Sequence, residues 1–338
     1  MLFTKEIFEA ALRGAESVYE DERGALCTNR FTEAQKTVIS KRVPTVPYHN
    51  AGMRLDIITD AESISMSFRC LRLTSRIFFS IDIYEDGVLC YSYIEKNSFD
   101  RRSGEFDYKF EKKGEKRVTV YLPYSADLAF DKIELSGESF VRPYEDYSCF
   151  VYMIGDSITH GYDAEITSQT YANIVMRRLN ADGINQGAAG YVFCADSLDP
   201  ALFDGKRQPD IITVAYGTND WSGKQREDFV RDAEAFFDRI CDIYPDTPIL
   251  YITPIFRASH YIPTAAGEFD QACETLAQIA KRHDNVYVLD GDKMVPHLYG
   301  FFRDVRLHPN DAGFATYGAC VSDAVAHILG IRPKTFLI

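Results

Sequence analysis

The sequence predicts two folds in succession: an all-β domain followed by an α/β domain built on a parallel sheet. The pattern of apolar segments changes near residue 147. Before this point, short runs of β-branched and aromatic residues partly alternate with polar ones, which is typical of antiparallel strands. After it, strand-like and helix-like segments alternate, which is typical of a parallel sheet with helices on both faces. The 338 residues of the chain are enough for two such domains.

The first predicted segment, residues 1–27, begins with a short amphipathic helix over residues 1–20. Ile7, Leu12 and Val18 are apolar among acidic and basic neighbours. Such a mixture favours a helix that buries one face. We therefore expect an N-terminal helical segment before the first strand.

The second predicted segment, residues 28–146, lacks helical periodicity and predicts a β-sandwich or jelly roll. Its strands are expected at residues 55–59, 64–68, 77–84 and 118–122. Turns are expected at residues 85–87 and 113–114, where glycine follows charged residues. We interpret the basic cluster around Gly114 as a solvated hairpin tip.

The third predicted segment, residues 147–338, is a three-layer α/β domain. Strands are expected near residues 150–154, 183–186, 210–216, 248–253 and 286–289. Helices are expected near residues 168–180, 225–243, 266–282 and 311–328. In such a domain, ligands bind beyond the carboxyl ends of the strands.

The composition excludes several classes of partner. The net charge is −13, and no basic stripe is present, so nucleic acid is not an expected partner. No apolar run approaches membrane-spanning length, so no membrane partner is expected. The eight cysteines are scattered without zinc spacing, which predicts neither a metal site nor required disulfides. The first residues lack the pattern of a secretory signal, which predicts a cytoplasmic protein. The oligomeric state stays open.

Four short motifs follow predicted strands or precede predicted helices. They are G-D-S-I-T at residues 155–159, N-Q-G-A-A-G at 185–190, G-T-N-D at 217–220 and H-P-N-D at 308–311. A serine just past a strand, where a helix begins, can expose its hydroxyl beside unpaired backbone N–H groups and the positive end of a helix dipole. A turn with a helix cap would explain the first motif alone. The four motifs in this order indicate a catalytic site.

These four motifs resemble the sequence blocks of the GDSL/SGNH hydrolases, over about residues 148–330. The resemblance implies a flavodoxin-like SGNH domain with esterase activity and an acyl-enzyme. It implies that Ser157 is the nucleophile and His308 its base, because serine needs a base to take its proton. It assigns the oxyanion hole to the backbone N–H groups of Ser157 and Gly187 and to the side-chain amide of Asn219. No metal is expected, because the histidine and carboxylates of the site lack metal-ligand spacing. No cofactor is expected, because the sequence has no P-loop or dinucleotide fingerprint.

One position departs from the family pattern. The family usually carries an aspartate three residues before the histidine, where this chain has Val305, and Asp304 lies one residue earlier. Either Asp304 reaches His308 and completes a triad, or a backbone carbonyl orients His308 and the site is a Ser–His dyad. The preceding β domain resembles that of the second carbohydrate-esterase family, which is known for dyad-type arrangements. This resemblance favours the dyad.

The predicted substrate is a short-acyl, chiefly acetyl, ester of a small molecule or an oligosaccharide. Trp221 and Tyr191 follow their motifs closely, and aromatic faces at the rim of a site suit sugar rings. His160 follows Ser157 and is expected at the mouth of the pocket. The alternative for Trp221 is a packing residue. The alternative functions are a lipase or thioesterase of the GDSL type, an acyltransferase, and a non-catalytic glycan-binding protein.

Overall fold

The computed structural model describes residues 1–97, 102–304 and 306–334, and the chain forms two compact units. The β unit comprises Met1–Phe31, Thr45–Tyr147 and Glu165–Ser168. The α/β unit comprises Thr32–Pro44, Ser148–Ala164 and Gln169–Ile338. The predicted segments 1–27, 28–146 and 147–338 were continuous in sequence. The units differ from them because two short segments, residues 32–44 and 165–168, belong to the opposite unit.

The β unit is formed by eleven strands among the described residues. They are β1 (Leu12–Arg13), β2 (Ser17–Glu20), β3 (Leu26–Asn29), β4 (Arg54–Thr59), β5 (Ser63–Leu73), β6 (Phe79–Glu85), β7 (Val88–Glu95), β8 (Ser103–Lys109), β9 (Lys116–Tyr121), β10 (Ala126–Leu135) and β11 (Val141–Pro143). One sheet has the order β1-β4-β9-β6-β7, with β11 paired to β4, and the other has the order β2-β3-β10-β5-β8. All of their pairings are antiparallel.

The two antiparallel sheets share one hydrophobic core. Ile57, Ile83 and Val120 of the first sheet and Phe68 and Phe130 of the second are buried in the same cluster. Alternate residues of β5 point into this core, as expected for a strand with one buried face. The predicted β-sandwich is therefore confirmed.

The turn predicted at residues 85–87 is a two-residue hairpin loop between β6 and β7. Asp86 and Gly87 both have positive φ, at 48° and 88°. Positive φ at both central residues is the signature of the hairpin turns that match the twist of paired strands. The Asp-Gly pair was therefore a readable signal in the sequence.

The helix predicted over residues 1–20 is wrong beyond Ala11. Helix α1 spans Lys5–Ala11, and Thr4 caps it by accepting the N–H of Ile7. Leu12 then enters β1 and pairs with Leu55. Gly14 adopts φ +83°, a left-handed conformation that ends regular structure and that glycine adopts at little cost.

The hairpin predicted around Gly114 is also wrong. The preceding strand β8 pairs with β5, whereas the following strand β9 pairs with β4 and β6. The connection therefore crosses between the two sheets. Local sequence identified the turn but could not identify the partners of its strands.

The α/β unit is a parallel sheet with helices, as predicted. Its strands are β12 (Cys149–Gly155), β13 (Ala181–Gly187), β14 (Ile211–Ala215), β15 (Ile249–Ile252) and β16 (Val286–Leu289), in the order β13-β12-β14-β15-β16. Its helices are α2 (Glu33–Ile39), α3 (Ser157–His160), α4 (Tyr171–Leu179), α5 (Thr218–Gly223), α6 (Arg226–Ile243), α7 (Phe269–Ala280) and α8 (Asp311–Leu329). Within the described ranges, no helix combines the length and the apolarity needed to cross a membrane.

Helix α2 was not predicted, although its start carries a recognisable signal. Thr32 accepts the N–H of Gln35 while the Gln35 side chain accepts the N–H of Thr32, which is a capping box. The side-chain amides of Gln35 and Gln186 also bond reciprocally, at 2.8 and 2.9 Å. The hydroxyl of Tyr152 donates to the same Gln186 carbonyl oxygen at 2.6 Å. This buried amide pair ties α2 to the sheet.

We expect Gln35→Ala to lower the free energy of unfolding by about 1–3 kcal/mol, because it removes the two buried hydrogen bonds between the Gln35 and Gln186 amides. Chemical denaturation monitored by circular dichroism measures this change. The control is Gln278→Ala on the exposed face of α7, where a change within about 0.5 kcal/mol is expected. Equal changes in the free energy of unfolding for the two substitutions would contradict the stabilising role of the Gln35–Gln186 amide pair.

Candidate active site

Three neighbouring strands end at the edge of the sheet that holds the predicted nucleophile. Gly155, at the end of β12, pairs in register with Gly187 of β13 and Ala215 of β14. Ser157 begins α3 directly after β12, and Asn219 lies in α5 directly after β14. The structure therefore brings the first three motifs together at the carboxyl ends of parallel strands, where α/β sheets bind ligands.

The helix that carries Ser157 lies against the end of β13 because Gly187 has no side chain. A Cβ atom at Gly187 would lie 2.3 Å from the backbone N of His160 and 2.5 Å from the carbonyl C of Thr159. The Asn185 side chain strengthens this contact by donating to the Thr159 carbonyl oxygen at 2.8 Å. Backbone atoms cannot yield as a flexible side chain can, so this position requires glycine.

Ser157, His308 and Asp304 form a continuous chain of hydrogen bonds. The Ser157 Oγ lies 2.9 Å from Nε2 of His308. On the other side of the ring, Nδ1 of His308 lies 2.6 Å from Oδ2 of Asp304. Asp304 therefore reaches the histidine, and the geometry is that of the triad alternative rather than the dyad that the sequence comparison favoured.

Asp304 reaches His308 because its carboxylate organises the loop between them. Its Oδ1 accepts the backbone N–H groups of Arg306, Leu307 and His308 at 2.9 to 3.0 Å. This leaves Oδ2 for the imidazole. A loop wrapped around a carboxylate accommodates the one extra residue relative to the family spacing. Val305, which occupies the usual aspartate position, lies outside the described residues.

The protonation states of Ser157 and His308 follow from the charge of the Asp304 carboxylate. Partial burial alone would raise its pKa, but the hydrogen bonds from His308, Leu307 and Arg306 outweigh burial and hold the pKa well below the usual value. An ionised carboxylate only accepts hydrogen bonds, so Nδ1 of His308 carries the proton. In the neutral imidazole, Nε2 then accepts the hydroxyl proton of Ser157. This is the arrangement that serine activation requires.

A second carboxylate, which sequence reasoning missed, also faces His308. Oδ2 of Asp163 lies 3.4 Å from Nδ1 of His308. The potential metal ligands of Asp163, Asp304 and His308 all lie within 4.8 Å of one another. The 2.6 Å contact to Asp304 is a hydrogen bond made by a protonated Nδ1, which is then not available as a metal ligand. No periodic signal marks Asp163, because its placement depends on the turn that follows α3.

The three predicted oxyanion donors differ in their availability. The Ser157 N–H begins α3, and among the described residues no acceptor takes it. The side-chain amide of Asn219 donates one hydrogen to the Tyr191 carbonyl oxygen at 2.9 Å and retains a second. The Gly187 N–H, by contrast, donates to Oδ1 of Asn185 at 2.8 Å. The structure thus leaves two of the three predicted donors available.

Two of the predicted substrate-binding residues, Trp221 and Tyr191, lie in the interior. Trp221 is 2% exposed, its indole N–H donates to the Gly267 carbonyl oxygen at 2.9 Å, and its ring packs against Phe269. Tyr191 is 3% exposed. Neither residue presents a face to solvent, so the placement of both at the rim was wrong. The packing alternative describes Trp221.

His160, the third predicted substrate-binding residue, is fully buried rather than at the mouth of the pocket. Its Nδ1 accepts the Ala189 N–H at 3.4 Å, and its ring packs edge-on against Tyr162. His160 therefore stabilises the contact between α3 and the segment after β13.

Two exposed tyrosines lie on loops that contact the loop carrying Asp304 and His308, called here the triad loop. Tyr261 is 73% exposed and Tyr299 is 75% exposed. The loop of Tyr261 is bonded to the triad loop through the Ala258 N–H and the Arg306 carbonyl oxygen, at 2.8 Å. The loop of Tyr299 is bonded to it through the Arg303 N–H and the His308 carbonyl oxygen, at 2.9 Å. The sequence did not indicate either tyrosine as a substrate contact, because neither lies in a motif.

A buried carboxylate precedes the nucleophile. Asp156 caps α3 by accepting the Ile158 N–H at 2.9 Å. Burial raises its pKa to about 7, and the hydrogen bond from Ile158 only partly opposes this. Asp156 is therefore largely uncharged below neutral pH.

Comparison with known proteins supports the family resemblance. Residues 153–316 match the model of the GDSL-like Lipase/Acylhydrolase family, which confirms the resemblance shown by the four motifs. No curated protein matches the sequence.

Solved structures share the fold along nearly the whole chain. A salicylyl-acyltransferase, SsfX3, from a tetracycline biosynthetic pathway is 21% identical, with a TM-score of 0.76 over 95% of this chain and 96% of that one. A family two carbohydrate esterase from Cellvibrio japonicus is 14% identical, with a TM-score of 0.68 over 98% of both chains. The acetyl xylan esterase Est2A from Butyrivibrio proteoclasticus is 15% identical, with a TM-score of 0.62 over 98% of both chains.

We expect Gly187→Ala to lower the free energy of unfolding by about 1–3 kcal/mol, because its Cβ would displace the backbone of α3. Thermal and chemical denaturation measure the loss. Gly223→Ala is the matched control, since a Cβ there meets no atom within 4 Å. If Gly187→Ala were as stable as this control, the close contact between α3 and β13 would be refuted.

We expect Asp156→Asn to become more stable relative to the original protein as pH rises from 4 to 7. The folded pKa of about 7 exceeds the unfolded value of about 4, so folding retains a proton that the unfolded chain loses. The original protein therefore loses up to about 4 kcal/mol of stability through Asp156 as pH rises. Asp156→Asn lacks this loss, because asparagine does not titrate. Urea denaturation at several pH values measures it. Asp242→Asn on the exposed part of α6 is the control, and a difference that does not vary with pH would contradict the expectation.

Proposed function

We propose that the protein is a serine esterase that hydrolyses short-acyl esters, chiefly acetyl esters of carbohydrates, through an acyl-enzyme. The observation that carries this proposal is the hydrogen-bonded chain from Ser157 Oγ through His308 to Asp304, with contacts of 2.9 and 2.6 Å. The match of residues 153–316 to the model of an acylhydrolase family supports ester cleavage over glycan binding without catalysis.

In the first step, Nε2 of His308 takes the hydroxyl proton of Ser157 as Oγ attacks the ester carbonyl carbon. The imidazole becomes a cation, and the Asp304 carboxylate stabilises it through the hydrogen bond to Nδ1. His308 then gives its proton to the oxygen of the departing alcohol, leaving the acyl group on Ser157. A water molecule then attacks the acyl carbon while His308 takes its proton. His308 returns this proton to Ser157 Oγ as the acid is released.

The negative oxygen of the tetrahedral intermediate requires donors that are already in place. The Ser157 N–H and the second amide hydrogen of Asn219 are available for this. Gly187 would contribute only if its N–H were released by Asn185 or shared with it. Loss of one such donor typically costs about 3 kcal/mol of transition-state stabilisation, so Asn219 is expected to matter more than Gly187.

The proposal of a carbohydrate substrate depends on the two exposed tyrosines and on the relatives in fold. Tyr261 and Tyr299 present aromatic faces on loops bonded to the triad loop, and aromatic faces suit sugar rings. Two of the structural relatives are named as a carbohydrate esterase and an acetyl xylan esterase. Tyr261 and Tyr299 therefore replace Trp221 and Tyr191 as the candidates for sugar contact.

Two alternatives have specific support. The exposed Ile262 and Leu298 next to these tyrosines would suit a longer acyl chain, as in a lipase or thioesterase. The similarity in fold to a salicylyl-acyltransferase supports transfer of the acyl group to an alcohol instead of water. The acyl-enzyme is the same in all three cases, so the substrates and acceptors distinguish them.

We expect the purified protein to hydrolyse p-nitrophenyl acetate faster than the butyrate and octanoate esters, and Ser157→Ala to abolish the activity. Release of p-nitrophenol gives kcat/KM for each ester. Preference for octanoate would favour the lipase alternative. Product formation only when a sugar alcohol is added would favour the acyltransferase. No turnover above the Ser157→Ala level with any ester or acceptor would refute the proposal.

We expect Tyr261→Ala and Tyr299→Ala to raise KM for acetylated xylo-oligosaccharides about tenfold without changing kcat/KM for p-nitrophenyl acetate. Stacking on an aromatic face contributes about 1 kcal/mol or more, and p-nitrophenyl acetate has no sugar ring to stack. Acetate release measured over a range of oligosaccharide concentrations gives KM. Tyr287→Ala, an exposed tyrosine on β16, is the control. Equal changes for both substrates would argue against a sugar-binding contribution.

A further inference from the structure

We infer that Asp163 is a positioning residue that shares with Asp304 the stabilisation of the His308 cation during catalysis. This inference rests on the proposed serine esterase mechanism, in which His308 becomes positively charged as Ser157 attacks. It adds to the hydrogen-bonded chain a second carboxylate, which neither the four motifs nor their spacing identified.

The geometry places Asp163 beside the same nitrogen that bonds Asp304. Its Oδ2 lies 3.4 Å from Nδ1 of His308, and its side chain is only 6% exposed. Nδ1 has one hydrogen, and it donates this hydrogen to Oδ2 of Asp304 at 2.6 Å. Asp163 therefore acts through charge at close range rather than through a second short hydrogen bond. Because solvent is largely excluded from its side chain, screening of this charge is weak.

The turn after the nucleophile helix fixes the position of Asp163. The N–H groups of Gly161 and Tyr162 both donate to the Ser157 carbonyl oxygen, at 3.0 and 2.9 Å. Asp163 follows with φ +75°, a left-handed conformation that is uncommon for residues other than glycine, asparagine and aspartate. The Tyr162 ring packs 5.9 Å from the His308 ring. The backbone that carries the nucleophile thus also carries a carboxylate to its base.

The charge arrangement favours a cation between the two carboxylates. Asp163 and Asp304 each have a carboxylate oxygen within 4.8 Å of one on the other residue, so the two charges repel each other, and a cation between them relieves the repulsion. The other groups near this site are the Ser157 hydroxyl, the Tyr162 ring, the buried Asp156, and Arg257, whose charge interacts with Asp304. An opposite charge at this range typically shifts a titration by about 1 pH unit or more.

The first test compares the turnover of Asp163→Asn, Asp304→Asn and the double variant on p-nitrophenyl acetate. Asparagine preserves the shape of the side chain and tolerates the left-handed backbone. We expect each single variant to lose only about 10-fold in kcat, because the other carboxylate remains, so that independent effects would multiply to only about 100-fold. We expect the double variant to lose about 10⁴-fold, the scale of removing a triad carboxylate. A loss in the double variant equal to the product of the two single-variant losses would contradict a shared contribution.

The matched control for the backbone is Asp86→Asn, at another aspartate with positive φ, in the β unit. It changes the same atoms in the same conformation far along the sequence from the triad loop. We expect its turnover and pH profile to equal those of the original protein. Circular dichroism and thermal unfolding establish that every variant is folded.

The pH dependence separates a charge effect from a structural one. The acid limb of kcat/KM reports protonation of the base, and removing a nearby negative charge makes protonation harder. We expect this limb to move to lower pH by about 1 unit in Asp163→Asn, and not to move in Asp86→Asn. Reduced turnover with an unchanged acid limb would show a merely structural role and overturn the inference.

A measurement without substrate keeps this test independent of the proposed function. NMR follows the pH titration of the His308 ring, assigned by its absence in His308→Ala. We expect the titration midpoint to fall by about 1 pH unit in Asp163→Asn, even if no tested ester is cleaved. Inactivity with the shift present would refute the proposed function alone. An unchanged midpoint would overturn the inference about Asp163, whatever the activity.

Discussion

The contact of α3 with the end of β13 is the constraint on which the site depends. Gly187 leaves room for the backbone of Thr159 and His160 to lie against the strand, and Asn185 bonds the Thr159 carbonyl oxygen across this contact. The position of Ser157 at the start of α3 therefore depends on a residue thirty positions further along the chain. A side chain at Gly187 would displace the backbone of α3 and with it Ser157, although no catalytic side chain would be altered.

The other half of the site is organised independently of that contact. Asp304 collects three backbone N–H groups of its own loop and orients His308. Asn310 then caps α8 by accepting the Gly313 N–H. Two internally stabilised halves thus meet at the hydrogen bond between Ser157 Oγ and His308 Nε2 and at the contacts of Asp163 and Tyr162 with the His308 ring. Such an arrangement keeps the reacting atoms in place without requiring a rigid contact between every pair of residues.

The sequence predicted the parallel sheet, the β-sandwich and the convergence of Ser157, His308 and Asn219, because strand periodicity and motif order depend on local chemistry. It could not decide whether Asp304 reaches His308, because that depends on how a loop wraps around a carboxylate. Closeness to a motif did not reveal burial, so Trp221 was placed at the rim when its indole is packed inside. The start of α2, by contrast, is a local feature, because the capping box of Thr32 and Gln35 can be recognised from residue types and spacing alone.

The carboxylates near Ser157 divide into two kinds according to their surroundings. Asp304 is held ionised by hydrogen bonds from its loop and from His308, whereas burial raises the pKa of Asp156 to about 7. Asp156 directly precedes Ser157, whose N–H is a proposed oxyanion donor, so a full negative charge there would oppose the negative charge of the intermediate. Burial reduces that charge, while the hydrogen bonds at Asp304 preserve negative charge beside the imidazole that must become positive. The two aspartates thus differ in their surroundings. The largely neutral Asp156 lies near the negative charge of the intermediate, and the ionised Asp304 lies beside the positive charge of His308.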